Sequence, residues 1–246
     1  MQNVAETSEA RSASEFAGHV AREWDDLLGL RLLGAYLMGS LAHGGFSARY
    51  SDIDVAVVLS NALAPADFAE MQRRAAAVSE PHAAKLSLFW TDRGFSIGRF
   101  PPLDRIDYLT HAVTLVEREA VRPERPSVAE VRSYLRGAPF ERWAERAHSF
   151  SEAFELKPVE RKPYLRALLY PARFVYSWVL GDITSNDEAV SFLETRAHGK
   201  IDVALIREAL RCRQAGRDPD HLFGARQALR GYVDACAEAM AEAPAT

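Results

Sequence analysis

The chain has 246 residues, 48% of them hydrophobic, which is enough for one large globular domain or two of ordinary size. Its formal net charge of −4 argues against nucleic acid as a partner, because binding a phosphate backbone normally requires a basic surface. No apolar run is long enough to cross a bilayer, and the first residues, MQNVAETSEARSASE, lack a basic start and an apolar core, so we expect a cytoplasmic protein with no membrane partner.

The start of the chain predicts a helix followed by two strands. Upstream of the first strand, apolar residues recur at helical spacing, so this helix should cover one face of a sheet. Leu32 to Met38 form an apolar strand, a turn follows at Gly39-Ser40, and the next apolar run carries Asp52 and Asp54. Because successive side chains of a strand alternate between faces, both carboxylates project to the same side.

Two carboxylates held side by side raise each other's pKa unless a cation neutralises them. Hard oxygen ligands without a nearby Cys or His pattern suit Mg²⁺ rather than zinc, and Mg²⁺ commonly shares its ligand shell with substrate phosphates. Gly39 allows a close backbone turn, and Ser40 offers a hydroxyl and an N–H where a phosphate could bind. The stretch therefore predicts a metal site at Asp52 and Asp54 and a phosphate site at Gly39 and Ser40.

The rest of the chain predicts a helix, two further strands and then helices only. The predicted elements are a helix over Ala66–Val78, a strand over Lys85–Trp90, a short helix over Leu103–Leu109 and a strand over Ala112–Glu117. A linker at Arg122–Pro126 precedes helices over Val128–Leu135, Phe140–Phe154, Pro163–Leu180, Asp202–Ala215 and Phe223–Ala241, and a capping box at Ser185–Glu188. We thus predict an α/β domain over residues 1–122 and a helical domain over 127–246, with a binding cleft between them.

Two cysteines, Cys212 and Cys236, lie in the predicted helical domain. They are too few and too far apart in the sequence for a disulfide framework or a metal-binding pattern. We therefore expect both to be buried free thiols.

Two stretches resemble known families. Gly39-Ser40, the following loop and 51–54, Ser-Asp-Ile-Asp, resemble the signature of the DNA polymerase beta-like nucleotidyltransferase superfamily. Residues 169–190, LYPARFVYSWVLGDITSNDEAV, are similar to the C-terminal helical domain of the streptomycin/spectinomycin adenylyltransferases, and the matching positions are Arg173, Tyr176, Gly181, Ile183 and Ser185–Ala189. The implied fold class is α/β plus all-α, with a mixed nucleotidyltransferase sheet and flanking helices followed by a C-terminal helical bundle.

The resemblance implies transfer of AMP from ATP to a hydroxyl of a small polar molecule, such as an aminoglycoside. Two Mg²⁺ ions would be held by Asp52 and Asp54, and the nucleotide phosphates by the Gly-Ser turn. Arg173 is a further candidate for phosphate contact, although an arginine on such a helix is more often a structural ion-pair partner. Asn186 stands at the helix start where the family usually has a phosphate-binding lysine.

The family also supplies a third carboxylate from the strand beside the aspartates, and the position that matches best here is Lys85. Three interpretations stay open. A displaced alignment would leave the role to Glu80 or Asp92, of which Asp92 is closer in the strand frame. Alternatively, Lys85 replaces the metal as a counter-ion for the two aspartates, or it is a solvated lysine on an exposed edge.

Further departures weaken the aminoglycoside assignment more than the fold assignment. The acidic residue that contacts the cationic drug in the family is replaced around Pro163, where Glu160 is the nearest acid, and the segment used for drug contact is shortened to about Gly98–Asp107. His43 could reach a phosphate or the acceptor, although an exposed loop histidine is the simpler expectation. The hypotheses are thus an adenylyltransferase, a degenerate member that binds nucleotide or ligand without turnover, and a nucleic-acid polymerase relative, which the acidic composition disfavours.

Overall fold

The protein folds into two compact units that divide between Arg125 and Pro126, as seen in a computed structural model that describes residues 8–196 and 201–242. The first unit contains a sheet with helices on both faces, and the second contains helices only. None of the helices in the described ranges combines the length and the apolar character that a membrane span requires.

The sheet of the N-terminal unit has four strands in the order β3-β2-β1-β4. The strands are β1 (Leu32–Met38), β2 (Ile53–Leu59), β3 (Leu86–Asp92) and β4 (Val113–Glu117). β1 runs antiparallel to β2 and β4, whereas β2 and β3 are parallel. A parallel pair needs a crossover, which α3 (Pro65–Val78) and the short α4 (Glu80–Ala83) provide. The predicted mixed sheet with flanking helices is confirmed.

The two faces of β2 pack against different helices. Alternate residues from Ile53 to Leu59 join a core with α1 (Ser8–Leu28) and α3, in which the Trp24 indole N–H donates to the Met71 carbonyl at 3.0 Å. Ala56 and Val58 face the other way. They pack into a core with Phe89 of β3, with Phe100, and with Tyr108, which belongs to α5 (Pro102–His111). Because Asp54 has the same strand parity as Ala56 and Val58, it projects to the α5 side, as the alternation predicted.

The predicted turn at Gly39-Ser40 is a single short helix, α2 (Gly39–His43). Gly39 adopts φ +64°, which reverses the chain as it leaves β1, and the next residues continue in helical conformation. His43 was expected in an exposed loop, but it ends this helix and is half-buried, with its ring 5.5 Å from that of His111.

The C-terminal unit is a helical bundle, as predicted. Its helices are α6 (Val128–Arg136), α7 (Ala138–Glu152), α8 (Arg161–Leu180), α9 (Asn186–Arg196), α10 (Val203–Gln214) and α11 (Ala228–Glu242). α8 is the central helix and contacts all five others. Tyr164 and Trp143 show how its core combines apolar burial with polar contacts: the Tyr164 hydroxyl donates to the Leu222 carbonyl at 2.9 Å, and the Trp143 indole donates to the Ala167 carbonyl at 3.0 Å.

The junction between α8 and α9 has the predicted glycine cap and the serine half of the predicted capping box. Gly181 ends α8 at φ +63°, where a Cβ would lie 2.6 Å from a methyl carbon of Val128, so both conformation and space require glycine. At the start of α9, the Ser185 hydroxyl accepts from the Glu188 N–H at 3.2 Å. The Glu188 carboxylate accepts a hydrogen bond from the Thr184 hydroxyl.

Candidate active site

The carboxylate of Asp54 lies directly against the glycine bend. Asp54 is paired with Met38 across β1 and β2, and Gly39 follows Met38 at the point where the chain reverses. A Cβ placed on Gly39 would stand only 2.3 Å from Oδ2 of Asp54, so the half-buried carboxylate occupies the space that a side chain would need. Asp52 is half-buried one residue before β2, and it belongs to the same hairpin.

A chain of serine hydroxyls connects the bend to the residue before Asp52. The Ser40 hydroxyl donates to the Ser51 hydroxyl at 3.0 Å, and the same oxygen of Ser51 accepts from the Ser47 N–H at 2.9 Å. Ser51 is buried, so these bonds fix the Ser40 hydroxyl relative to the loop that leads into β2. The structure thus brings Asp54 and Ser40 to the same bend, and it links Ser40 to the residue that precedes Asp52.

Asp107, which was not among the predicted site residues, also contacts the bend. The residue is 7% exposed, and its Oδ2 accepts from the Gly39 N–H at 2.9 Å. Its other oxygen lies 3.5 Å from Nδ1 of His111, one turn further along α5. The Asp-His spacing of four residues on a short helix is the local signal for this pair, but its contact with Gly39 joins residues 68 positions apart.

Lys85 lies one residue before β3 and is half-buried, which excludes the solvated-edge interpretation. Its ammonium donates to the backbone carbonyl of Ala48, in the loop between α2 and β2. In addition, the Lys85 carbonyl accepts from the Ile53 N–H at 2.9 Å. Lys85 therefore ties the loop before the aspartates to the start of β3.

The structure corrects the prediction for Asp92. In the parallel register, Asp54 lies beside Ser87, whereas Asp92 lies beside Leu59 at the far end of the strands, about 17 Å along β3. The Asp92 carboxylate instead accepts from the Ser96 N–H and hydroxyl, both at 2.8 Å. Although burial raises the pKa of Asp92, these hydrogen bonds outweigh it and hold the pKa below its usual value. Asp92 is a loop-fixing residue, remote from the pair.

Glu80, the other carboxylate considered from the sequence, shares a cavity with Asp52. The cavity has a volume of about 560 Å³ and follows β3, the edge strand of the sheet. Ser87 and Arg99 line it as well. The Arg99 guanidinium lies over the Phe89 ring, 4.4 Å from its centre. Arg99 thus adds a cation to the cavity that Asp52 lines, and it was not among the predicted site residues.

The remaining predicted residues lie in the C-terminal unit. Arg173 is half-buried on α8, and Asn186 is the half-buried first residue of α9, next to the capping Ser185. Glu160 is the acid nearest in sequence to the position where the family has a drug-contacting acid. Its carboxylate accepts from the Lys157 N–H at 3.0 Å and so caps the turn before α8. Its carboxylate therefore has a structural role within this unit.

No family model matches this chain, and neither does any curated protein. Among solved structures, the chain is similar to the crystal structure of the spectinomycin adenyltransferase AAD(9) from Enterococcus faecialis with ATP and spectinomycin. The TM-score is 0.63 and the identity 13%, over 91% of this chain and 99% of that one. The chain has an aminoglycoside adenylyltransferase-like fold, so the predicted resemblance is confirmed at the level of the fold.

Proposed function

We propose that this protein is a nucleotidyltransferase that transfers AMP from ATP to a hydroxyl of a small molecule. The observation that carries the proposal is the contact between Asp54 and Gly39, which puts a half-buried carboxylate against the backbone of a Gly-Ser bend. The solved neighbour with this fold was crystallised with ATP and spectinomycin, which supports a nucleotide and a small-molecule acceptor as the ligands to test first.

The donor set at the bend fits Mg²⁺. Asp52 and Asp54 offer carboxylate oxygens from one hairpin, and the missing side chain of Gly39 lets the Asp54 carboxylate lie against the backbone of the bend. When bound there, Mg²⁺ would neutralise the charge of the triphosphate. The Ser40 hydroxyl, which donates to Ser51 in this structure, would turn to donate its single proton to a phosphate oxygen.

Outside the bend, Arg99 lines the cavity that reaches Asp52 and would supply a cation for the phosphates. In the helical unit, Arg173 and Asn186 stay predictions as nucleotide-binding residues, with the neutral amide of Asn186 as a hydrogen-bond donor where the family uses an ammonium.

The acceptor hydroxyl must lose a proton as it attacks the phosphate. Because β3 offers Ser87 rather than a carboxylate beside Asp54, and because Asp92 is remote, we assign Glu80 as the proton acceptor. Glu80 is the first residue of α4 and lines the same cavity as Asp52.

A cytoplasmic location fits the proposed reaction, because the reaction uses ATP and both cysteines are free thiols, as in a reducing compartment.

A second candidate function is nucleotide or ligand binding without turnover. Two observations favour it. The residues beside the aspartates on the β3 side are Lys85 and Ser87, neither of which is a carboxylate. In addition, Asp107 accepts the hydrogen bond from the Gly39 N–H that a phosphate would otherwise accept.

The acids expected for binding a polycationic drug are not at the matching positions of this chain. The acceptor in the proposed reaction is therefore a hydroxylated small molecule of open class, and it need not be an aminoglycoside.

A single assay separates these functions. Purified protein is incubated with Mg²⁺, ATP and a panel of aminoglycosides and other polyhydroxylated compounds, and both pyrophosphate release and the mass gain of one AMP on the acceptor are measured. We expect the wild-type protein to turn over ATP and acceptor. The rate should fall at least about 100-fold in Asp54→Asn, because asparagine keeps the shape of the metal ligand but not its charge. ATP binding in a thermal-shift assay, without pyrophosphate under any condition, would establish the degenerate member instead.

A further inference from the structure

A second cluster of metal-ligating side chains lies in the C-terminal unit. Glu208 and Cys212 are one turn apart on α10, and His221 lies in the 3₁₀ turn of residues 220–225. One ligand atom of each residue lies within 4.8 Å of the others. The sulfur of Cys212 is 3.7 Å from Nε2 of His221 and 4.0 Å from Oε1 of Glu208, and that oxygen is 3.5 Å from the same nitrogen.

We propose that Glu208, Cys212 and His221 form a binding site for a divalent transition metal of the Zn²⁺ class. In a tetrahedral zinc site, metal–ligand bonds of about 2.0–2.3 Å place neighbouring ligand atoms about 3.3–3.6 Å apart. The separation of 3.5 Å between Oε1 of Glu208 and Nε2 of His221 lies within that range, and the two separations from the sulfur, 3.7 and 4.0 Å, exceed it by at most a few tenths of an ångström. Small side-chain movements would therefore close the cluster around an ion, with the fourth position open to water.

The chain brings the three residues together by reversing direction after α10. Residues four apart on a helix share a face, which aligns Glu208 with Cys212. Gly216 then adopts φ +62°, and the Arg217 N–H donates to the Cys212 carbonyl at 2.9 Å. This reversal returns the following turn, with His221, to the same helix face. The two cysteines alone do not predict this cluster, because its other members are a glutamate and a histidine.

The carboxylate is already oriented for a metal. Two nitrogens of the Arg211 guanidinium hold Oε2 of Glu208 at 2.7 and 2.6 Å, and Oε1 is the oxygen that faces the cysteine and the histidine. The hydrogen bonds from Arg211 lower the pKa of Glu208 and keep it ionised. A charged group that fixes a ligand through its outer oxygen is typical of the surroundings of metal sites. Arg217 approaches Oε1 at 3.6 Å and would have to move aside.

The cysteine fits a ligand better than a nucleophile. Cys212 is fully buried, whereas the side chain of His221 is 52% exposed. An ion would therefore approach the cluster from the side of His221. Binding requires the thiolate form of Cys212, so the thiol proton would be released to solvent.

Cobalt(II) is the probe for the test, because a thiolate ligand gives it an intense near-ultraviolet charge-transfer band. Full-length protein is stripped with a chelator and titrated with Co²⁺. We expect one equivalent to produce the band, Zn²⁺ to remove it, and Zn²⁺ to raise the melting temperature. Any Co²⁺ at Asp52 and Asp54 has oxygen ligands and gives no such band.

Three variants decide the assignment. Cys212→Ser should lose the band, while Cys236→Ser, which alters the other buried thiol, should keep it. Because the His221 side chain is exposed, the substitution His221→Asn should leave folding unchanged. It should weaken Co²⁺ binding at least about tenfold. A band that survives in Cys212→Ser, a band lost equally in Cys236→Ser, unchanged affinity in His221→Asn, or no band in folded wild type would each overturn the proposal.

Discussion

Oδ2 of Asp54 stands 2.3 Å from the point where a Cβ of Gly39 would lie. The φ of +64° at Gly39 is a second, independent demand for glycine, since other residues pay roughly 1–2 kcal/mol for this conformation. Together the two constraints join the geometry of the bend to the position of the carboxylate. A side chain at residue 39 must displace Asp54 or unwind the bend.

Gly39→Ala is therefore expected to lower the free energy of unfolding by more than the backbone cost alone, and to abolish the thermal shift caused by Mg²⁺ with ATP. Urea denaturation and the thermal-shift assay measure the two effects. Gly29→Ala is the matched control, because Gly29 has φ +56° with nothing within 4 Å of its Cβ position. Equal losses of stability in the two variants would contradict the contact with Asp54.

The hydrogen bond from the Gly39 N–H to the Asp107 carboxylate gives a second prediction. Asp107→Ala leaves that buried donor unsatisfied and should cost about 1–3 kcal/mol in unfolding free energy. Asp107→Asn keeps an oxygen at the same position, so we expect a much smaller loss. Urea denaturation of both variants checks this, and similar losses would show that the negative charge, rather than the hydrogen bond, matters.

Glu80 is tested by its role as the proton acceptor. Glu80→Gln should lower kcat by about 10²–10⁴-fold while leaving ATP affinity unchanged, because only the proton transfer is removed. Asp92→Asn is the matched control and should retain turnover, since Asp92 lies at the other end of β3. The opposite ranking of the two variants in a pyrophosphate-release assay would restore Asp92 to the role expected from the sequence.

Lys85 distinguishes a loop tether from a counter-ion. Because its ammonium donates to the Ala48 carbonyl, Lys85→Met should reduce stability by about 1.5–3 kcal/mol and leave Mg²⁺ affinity unchanged. Lys157→Met, at an exposed lysine of the other unit, controls for the loss of one positive charge. If Mg²⁺ binds at least about tenfold more tightly to Lys85→Met than to the control, Lys85 is the counter-ion of the aspartates.

Asp92 carries a pH prediction. Its pKa is lowered in the folded protein, so it contributes stability above the unfolded value of about 3.9, and this contribution is lost as the pH falls through the folded pKa. The stability difference between wild type and Asp92→Asn should therefore be larger at pH 7 than at pH 3. Denaturant unfolding at both pH values measures it, and a difference that is constant with pH would exclude this linkage.

Local patterns were sufficient for the strands and for the face of the sheet to which Asp54 projects. β1 has the predicted bounds, and the alternation along β2 correctly assigned Asp54 to one face and Ile53 to the other. These features depend on the two-residue period of a strand and on adjacent hairpin pairing, both of which are readable from a short stretch of sequence.

Features that depend on distant pairing were not predictable. The residue of β3 that lies beside Asp54 is set by a parallel register after a helical crossover, and the strand pattern alone favoured Asp92 over Glu80. Likewise, Asp107 reaches Gly39 only because α5 packs under the sheet, and His221 reaches Cys212 only because the chain reverses after α10. Neither contact leaves a periodic signal in the sequence.

The β1–β2 hairpin and α5 contribute to the bend over very different distances in the chain. Gly39 and Asp54 are brought together by consecutive strands, so a short loop closes at low entropic cost. The Asp107 contact spans 68 positions and needs α5 to be docked. The hairpin alone would hold Asp54 at the bend, while the Gly39 N–H would still lack its buried acceptor.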